Sequence, residues 1–429
     1  MKVSKDLKTI YLFALVFVLF AFVHYPIADN YPDTQSYIRA WDNISHGHID
    51  ELRTPVYPIY LGVLRTLCGD MFATYAVIGQ YVLFLLSVAA FYSICSYIIN
   101  SQKVVFWTTL FYALNPCIIS WCACLLTESF AVSGIIFLLY YLFRLYDKYS
   151  FLRFLNTMLL LIVLLMLRPA FIYLIPLLLV FWAVLMLKSE KRRQSIAGMA
   201  SIFVSLIVLF TYMYKFNQIY SYYSTSSVGI NNSMFIARQY GLYNPAVIED
   251  SDFRADIVMS YNLHGERYKA YVTYYDAELC KEVDKIGGKY SHKTINDALA
   301  SSYRSNPIKV MATAMRIAYK ASDMPIFFTY ANWGFLSTLL YYIQIYMGFI
   351  YFFVTVYIIV LFIQIIRYRN IPYLSVLMFL IATSNMAIVF VGSPSEWNRL
   401  IIPSYPIFIL LIGQLFSFLR IVKGTKFVC

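Results

Sequence analysis

The chain reads as an all-α polytopic membrane protein with about ten transmembrane helices. Three observations predict this class. Hydrophobic residues make up 61% of the sequence, charged residues only 13%, and the mean hydropathy is +0.65. Apolar runs near the length that crosses hydrocarbon, roughly 20 residues, recur along the chain. Lysines and arginines gather in alternate short connections between them. A water-soluble domain of 429 residues does not carry so few charges.

The apolar runs fall at about 9–28, 71–99, 104–122, 125–143, 154–171, 172–187, 197–216, 336–366, 372–391 and 400–420. The first is as long as a span and lacks a small-residue cleavage site, so it reads as an uncleaved helix. The nearly continuous pairs 104–143 and 154–187 are divided by Asn115-Pro116 and Arg168-Pro169, where a polar residue and a proline favour reversal of the chain. The run 336–366 is long for one crossing, and either tilts or begins as an interfacial helix.

Orientation follows from the basic clusters. Lys2, Lys5 and Lys8 precede the first span, and Lys103, Arg144 with Lys148 and Arg153, Lys188 with Lys191 to Arg193, Arg367 with Arg369, and Arg420 with Lys423 follow every second one. The positive-inside rule therefore places both termini in the cytoplasm and the stretches 29–70 and 217–335 outside, as in a bacterial inner-membrane protein. Three parts are expected: an N-terminal transmembrane part, 1–216, with its first outer loop at 29–70; an extracytoplasmic region, 217–335; and C-terminal transmembrane helices, 336–429. The net charge of +12 is partly this topology signal, and no basic stripe interleaved with aromatics points to nucleic acid. The seven cysteines show no CxxC pair and no zinc spacing. They read as apolar fillers, with one disulfide among Cys117, Cys122 and Cys124 as the alternative. No phosphate-cradling glycine motif is present.

The ionisable residues inside or beside the apolar runs, Asp33, Arg53, Glu128, Arg168, Glu396 and Arg399, all fall at the outer membrane face. Tyr37, Ile38, Trp41 and Ile44 repeat at helical spacing and predict an amphipathic helix lying on the membrane. Asp33, just above the first span, is placed to take a proton from an acceptor; the alternative is a helix cap. Arg53-Thr-Pro-Val-Tyr57-Pro58 turns the chain into an apolar run of about a dozen residues, too short to span and predicted to be interfacial or re-entrant. Glu128 in its apolar stretch demands partners, whether an ion pair with Arg168 or Arg399 or a substrate or metal. Arg168 and Arg399 carry forked guanidiniums suited to a phosphate, with a snorkelling or turn-closing role as the alternative. Arg53 reads as a contact to donor phosphate or to anionic headgroups.

Asp33 with its amphipathic helix and Arg53-Thr-Pro-Val-Tyr-Pro58 resembles the first extracytoplasmic loop of the type C glycosyltransferases (GT-C), in particular the branch of protein O-mannosyltransferases and the lipid A aminoarabinose transferase. Leu126-Thr-Glu128, Leu167-Arg-Pro169 and Glu396-Trp-Asn-Arg399, the last running on to Pro403 and Pro406, match in the same order. The likeness covers the membrane part and leaves 217–335 largely unmatched. It implies an inverting enzyme that moves a sugar from a polyprenyl-phosphate carrier to an extracytoplasmic glycolipid, envelope glycan or protein. Asp33 would be the base, and Arg53, Tyr57, Glu128, Arg168, Glu396 and Arg399 would bind substrate. Many relatives carry an Asp-Glu pair where this chain has Asp33-Thr34, which leaves the second carboxylate's contacts without a counterpart. A divalent ion bridging phosphate to Asp33 or Glu128 is compatible with the residues and not demanded by their spacing. Two other classes stay open: a polymerase or ligase acting on lipid-linked oligosaccharide, and a lipid-glycan flippase, although neither internal repeats nor midplane charges support the last.

In 217–335 helices are expected from about Asp276 to Lys285 and from Asn296 to Lys320 with a break at Pro307. Val310, Met311, Ala314, Ile317 and Ala318 form the expected inner stripe of the second, with Lys309, Arg316 and Lys320 opposite, facing lipid headgroups. Arg316 and Lys320 are further candidates for the donor phosphate. His264 and His292 lack the paired spacing of metal ligands. The region reads as a cap that recognises the acceptor.

Overall fold

The computed structural model describes residues 4–24, 27, 32–264, 277–324, 347–368, 371–393 and 397–424. Among them the regular structure is helical, with no β-strand. The first helices are α1 (Lys5–His24), α2 (Pro32–Ser45), α3 (Val56–Cys68) and α4 (Phe72–Ile98). They are followed by α5 (Gln102–Ala113), α6 (Pro116–Cys122), α7 (Glu128–Asp147), α8 (Phe151–Leu167), α9 (Leu174–Met186) and α10 (Arg192–Tyr220). Seven helical segments are long and apolar enough to cross a membrane, the bent pair α5–α6 makes an eighth, and two shorter apolar helices, Phe151–Leu167 and Ile402–Phe418, complete ten.

Asn115-Pro116 does not reverse the chain, contrary to the sequence reading; it bends it by 41°. Asn115 accepts from the backbone N–H groups of Cys117 and Ile118, and Pro116 sits in the first turn, where its missing N–H costs nothing. Helix α6 therefore starts as α5 ends, and the reversal comes at 123–127. Arg168-Pro169 behaves as expected, opening a 3₁₀ turn, Pro169–Tyr173, into α9. The short apolar run after Arg53 is α3, continued through a 3₁₀ turn at Gly69–Met71 into α4.

The extramembrane candidates are α11 (Val228–Gln239), α12 (Ser251–His264), α13 (Ala277–Lys289), α14 (His292–Ser305) and α15 (Pro307–Ala321). Asn306 caps α15 by accepting from the Lys309 N–H, which is the predicted break at Pro307. The apolar stripe of α15 faces inward as expected except at Met311: Ile317 is buried and Val310, Ala314 and Ala318 are partly buried, beside Thr313 and Ala321, whereas Met311 joins Ile308, Met315 and Tyr319 on an exposed apolar edge. The chain ends in α16 (Gly348–Tyr368), α17 (Tyr373–Gly392), the single turn α18 (Trp397–Leu400) and α19 (Tyr405–Gly424). The part of the predicted span 336–366 before 347 lies outside the described residues.

Two close approaches hold the bundle. A Cβ on Gly62 would enter the Trp41 ring, which joins α2 to α3, and one on Gly198 would enter the Trp182 ring, which joins α10 to α9. Cys68, Cys95, Cys117, Cys122 and Cys124 are free thiols, so no disulfide joins the last three.

The Gly62→Ala protein is expected to lose about 1–3 kcal/mol of stability through overpacking, seen as a lower melting temperature in detergent. Gly229→Ala, where the added carbon meets nothing within 4 Å, serves as the control and is expected to melt at or above the wild-type temperature.

Candidate active site

Five of the residues singled out from the sequence meet at one end of the bundle. Asp33 lies in the first turn of α2, and its two carboxylate oxygens are taken by two guanidiniums: Oδ1 by Arg53 Nη2 at 2.6 Å and Oδ2 by Arg399 Nη2 at 2.6 Å. Arg399 Nε donates to Glu128 Oε1 at 2.7 Å, and Arg168 Nη2 donates to the same oxygen at 3.0 Å. The result is a continuous chain, Arg53–Asp33–Arg399–Glu128–Arg168. The Asp33 side chain is 30% exposed, that of Glu128 is 0% exposed, and Arg399 is 5% exposed. Glu128 Oε2 is buried without a hydrogen-bond partner among the described residues. Burial pushes the Asp33 carboxyl up, but the Arg399 and Arg53 guanidiniums outweigh it and hold the pKa at about 2.

Each member is set by local structure. Asp50 accepts from the Leu52 and Arg53 N–H groups and from Asn43 Nδ2, an Asx turn that aims Arg53 back at α2. Arg53 Nε donates to Ser36 Oγ at 2.7 Å, and its guanidinium stacks 4.3 Å from the Tyr37 ring centroid. Thr34 Oγ1 donates to the Leu125 carbonyl, just before Glu128, and Thr54 Oγ1 donates to the Leu167 carbonyl, next to Arg168. Gln80, buried in α4, donates to the carbonyls of Cys122 and Cys124 and accepts from Tyr57 Oη. These polar residues were missed in the sequence; a buried Gln in an otherwise apolar span was the available signal. Around Arg399, Trp397 Nε1 donates to the Ser393 carbonyl, and Asn385 Nδ2 donates to Ser404 Oγ.

The remaining candidates are placed differently. Tyr57 is fully buried behind the site, its ring edge-on to Tyr37 at 5.1 Å. Arg316 is exposed on α15, and Lys320 lies 5.5 Å from the Tyr240 ring centroid. Glu396 lies outside the described residues. His292 Nε2 sits 3.1 Å from Glu51 Oε1, so it ties α14 to the first loop rather than to a metal cluster. Among the described residues no group of three His, Cys, Asp or Glu is suited to a cation. Both Asp33 oxygens and one of Glu128 are already paired with guanidiniums. Among the described residues Glu128 Oε2 is thus the one carboxylate oxygen of the centre left over for a divalent ion, short of a ligand set.

Helices packed around an acid–arginine centre at the end of the bundle, with the first loop folded over it, form the GT-C membrane fold. No protein-family model and no curated sequence matches the chain. Among solved structures it is similar to the archaeal oligosaccharyltransferase AglB from Archaeoglobus fulgidus in complex with an inhibitory peptide and a dolichol-phosphate (TM-score 0.55, 11% identity, 98% of this chain and 52% of that one). The same enzyme with zinc and sulfate gives a TM-score of 0.52 at 10% identity, covering 97% of this chain and 51% of that one. Tethered to an acceptor peptide containing an NVT sequon, it again gives 0.52, at 11% identity over 98% and 51%. The chain spans about half the length of these structures. The protein is an integral membrane protein of this fold.

Removing the Glu128 charge takes away the carboxylate bonded to Arg168 and one of those bonded to Arg399. Glu128→Gln is expected to cost about 3–5 kcal/mol, read as a melting-temperature drop in detergent. Arg65→Gln, which breaks the exposed 3.4 Å pair with Asp42, is expected to cost under about 1 kcal/mol. Equal shifts in the two variants would show that the Glu128 chain carries no structural weight.

Proposed function

We propose that this protein is an inverting glycosyltransferase that moves a sugar from a polyprenyl-phosphate carrier to an acceptor at the extracytoplasmic face of a bacterial inner membrane. Both termini are cytoplasmic in this reading, and 217–335 forms the acceptor-side cap. The observation that carries it is the double clamp on Asp33: a partly exposed carboxylate between two guanidiniums, both within 2.6 Å. A phosphodiester entering the centre competes with Asp33 for Arg53 and Arg399, because guanidinium forks pair with phosphate and carboxylate alike. Once a guanidinium turns to the phosphate, an Asp33 oxygen is released to accept the proton of the acceptor hydroxyl or amine. The acceptor atom then bonds to the anomeric carbon as its bond to the phosphate oxygen breaks, and that oxygen leaves with the pair of electrons onto a phosphate neutralised by arginine. Glu128 acts through Arg399, holding its guanidinium in place. Dolichol-phosphate and acceptor peptide are bound by the structurally similar AglB, which supports a lipid-borne donor. That enzyme being an oligosaccharyltransferase favours a second reading, transfer of a preassembled oligosaccharide from its lipid carrier.

Membranes holding wild type or Asp33→Asn at matched expression, given labelled polyprenyl-phosphate monosaccharides and lipid-linked oligosaccharides, decide between these. Wild type is expected to transfer the monosaccharides and the variant to lose roughly 10²–10⁴ in rate. Transfer of oligosaccharide alone selects the second reading, and activity surviving in the variant removes Asp33 as base.

The clamp also sets a pH dependence. A carboxyl depressed to about 2 stays ionised at all working pH values, so its stabilising contribution is complete above about pH 4 and is lost as pH falls toward 2. The donor kcat/KM, which reports the free enzyme, is expected to show no carboxylate limb above about pH 4. At saturating donor, kcat is expected to gain an acid limb, because the phosphate has drawn a guanidinium off Asp33. The absence of an acid limb from both profiles would mean that the clamp does not open on donor binding.

A further inference from the structure

At the opposite end of α8 from Arg168 lies a cavity of about 660 Å³ lined by Tyr149, Phe151, Phe154, Arg192, Arg193 and Ile196 among others. A helix of 17 residues separates it from the acid–arginine centre, roughly 25 Å at the α-helical rise, so it belongs to the other membrane face. Helices α8 and α10 pack side by side and both start here, so their positive dipole ends point the same way. Neither start has a side-chain cap: Ser150 and Lys191 make no such bond. The other cations of the cluster are engaged. Lys188 lies over the Tyr373 ring, Lys191 donates to the Tyr146 carbonyl, and Arg153 donates to the carbonyls of Arg144 and Lys148. Arg192 and Arg193 line the cavity with no hydrogen-bond or ion-pair partner among the described residues; Arg193 only stacks on Tyr149, 4.3 Å from its ring centroid. The apolar wall continues along α10, where Ile196, Phe203 and Phe210 repeat every seven residues and are all exposed.

We propose that this cavity is a binding site for one anionic glycerophospholipid, with its phosphate between Arg192 and Arg193 and an acyl chain laid along Phe151, Ile196 and Phe203. Two unpaired guanidiniums and two uncapped helix starts supply the charge complement of a phosphodiester. The exposed aromatic and aliphatic track supplies what a free phosphate would have no use for. The site is independent of the transfer reaction, and on the topology above it faces the cytoplasmic leaflet.

Native mass spectrometry of the full chain released from nanodiscs of mixed phosphatidylglycerol and phosphatidylcholine tests this. Wild type is expected to keep one phosphatidylglycerol under activation and no phosphatidylcholine. Arg192→Gln/Arg193→Gln, at two exposed positions, is expected to retain it roughly tenfold to thirtyfold less while melting at the wild-type temperature. Lys5→Gln/Lys8→Gln removes the same charge from the same face outside the cavity and is expected to retain the lipid as wild type does. Equal loss in both pairs would reduce the effect to diffuse surface charge, and equal retention would overturn the site. Displacement of the adduct by excess inorganic phosphate would reassign it to free phosphate.

Discussion

A fully buried carboxylate at the start of an apolar span is the constraint around which the structure is arranged. Glu128 opens α7 with no exposure to solvent, and an ion so placed persists only if counter-charges are brought to it. The counter-charges come from far along the chain: Arg168 from the turn after α8, and Arg399 from the turn before α19, 271 residues away in sequence. Arg399 in turn captures Asp33 across 366 residues, and Asp33 captures Arg53. Of the two carboxylates only Asp33 reaches the surface, with its side chain 30% exposed beside Arg53 at 15%.

Holding that chain together requires the first loop to sit against turns whose carbonyls would otherwise be orphaned. The turn before α7 exposes the carbonyls of Cys122, Cys124 and Leu125, and Gln80 and Thr34 satisfy them. Thr54 does the same for Leu167 beside Arg168. In a low-dielectric surround each unmet carbonyl is costly, so the bonds that relieve it also fix Asp33 and Arg53 relative to Glu128 and Arg168. Thr34 thereby explains the departure from the Asp-Glu pattern: its hydroxyl docks the loop where a second carboxylate would have added charge. The outer segment is tied to the same loop, with Ser227 N donating to the Glu51 carbonyl and Tyr220 Oη to that of Ile49.

Much of this was legible in the sequence, because charge and hydropathy carry it. Asp33, Arg53, Glu128, Arg168 and Arg399 stand out against apolar surroundings, and the parity of the spans puts them at one end. The break at Pro307 was equally plain, since Asn306 and the proline form a start signal for α15. The bend at Asn115-Pro116 was read too strongly: an Asn-Pro pair is both a turn signal and a helix-start signal, and here the cap on α6 decides between them. The uncharged supports were harder to read: Gln80 stands out only as a lone amide in an apolar span, and Thr34 and Thr54 act through backbone carbonyls of turns whose shape periodicity does not reveal. On α15 the expected stripe holds except at Met311, because amphipathicity does not say where the edge of an apolar face meets solvent.

In the proposed reaction, exposure divides the tasks of the two carboxylates. They are chemically alike, and both are bonded to Arg399, yet Glu128 is sealed and Asp33 is 30% exposed. A proton acceptor must reach the atom it deprotonates, which Glu128 cannot do behind the Arg399 guanidinium. A positioning anion must keep its geometry whether or not substrate is present, which favours the sealed site. Arg399 stands between them, held from behind through Nε and offering Nη2 to whatever anion lies in front. Asp33 occupies that place, and a phosphate entering it would inherit the same donor. The carboxylate that is displaced is then the one beside the newly bound group, so the freed base and the bound leaving group are brought together by a single exchange.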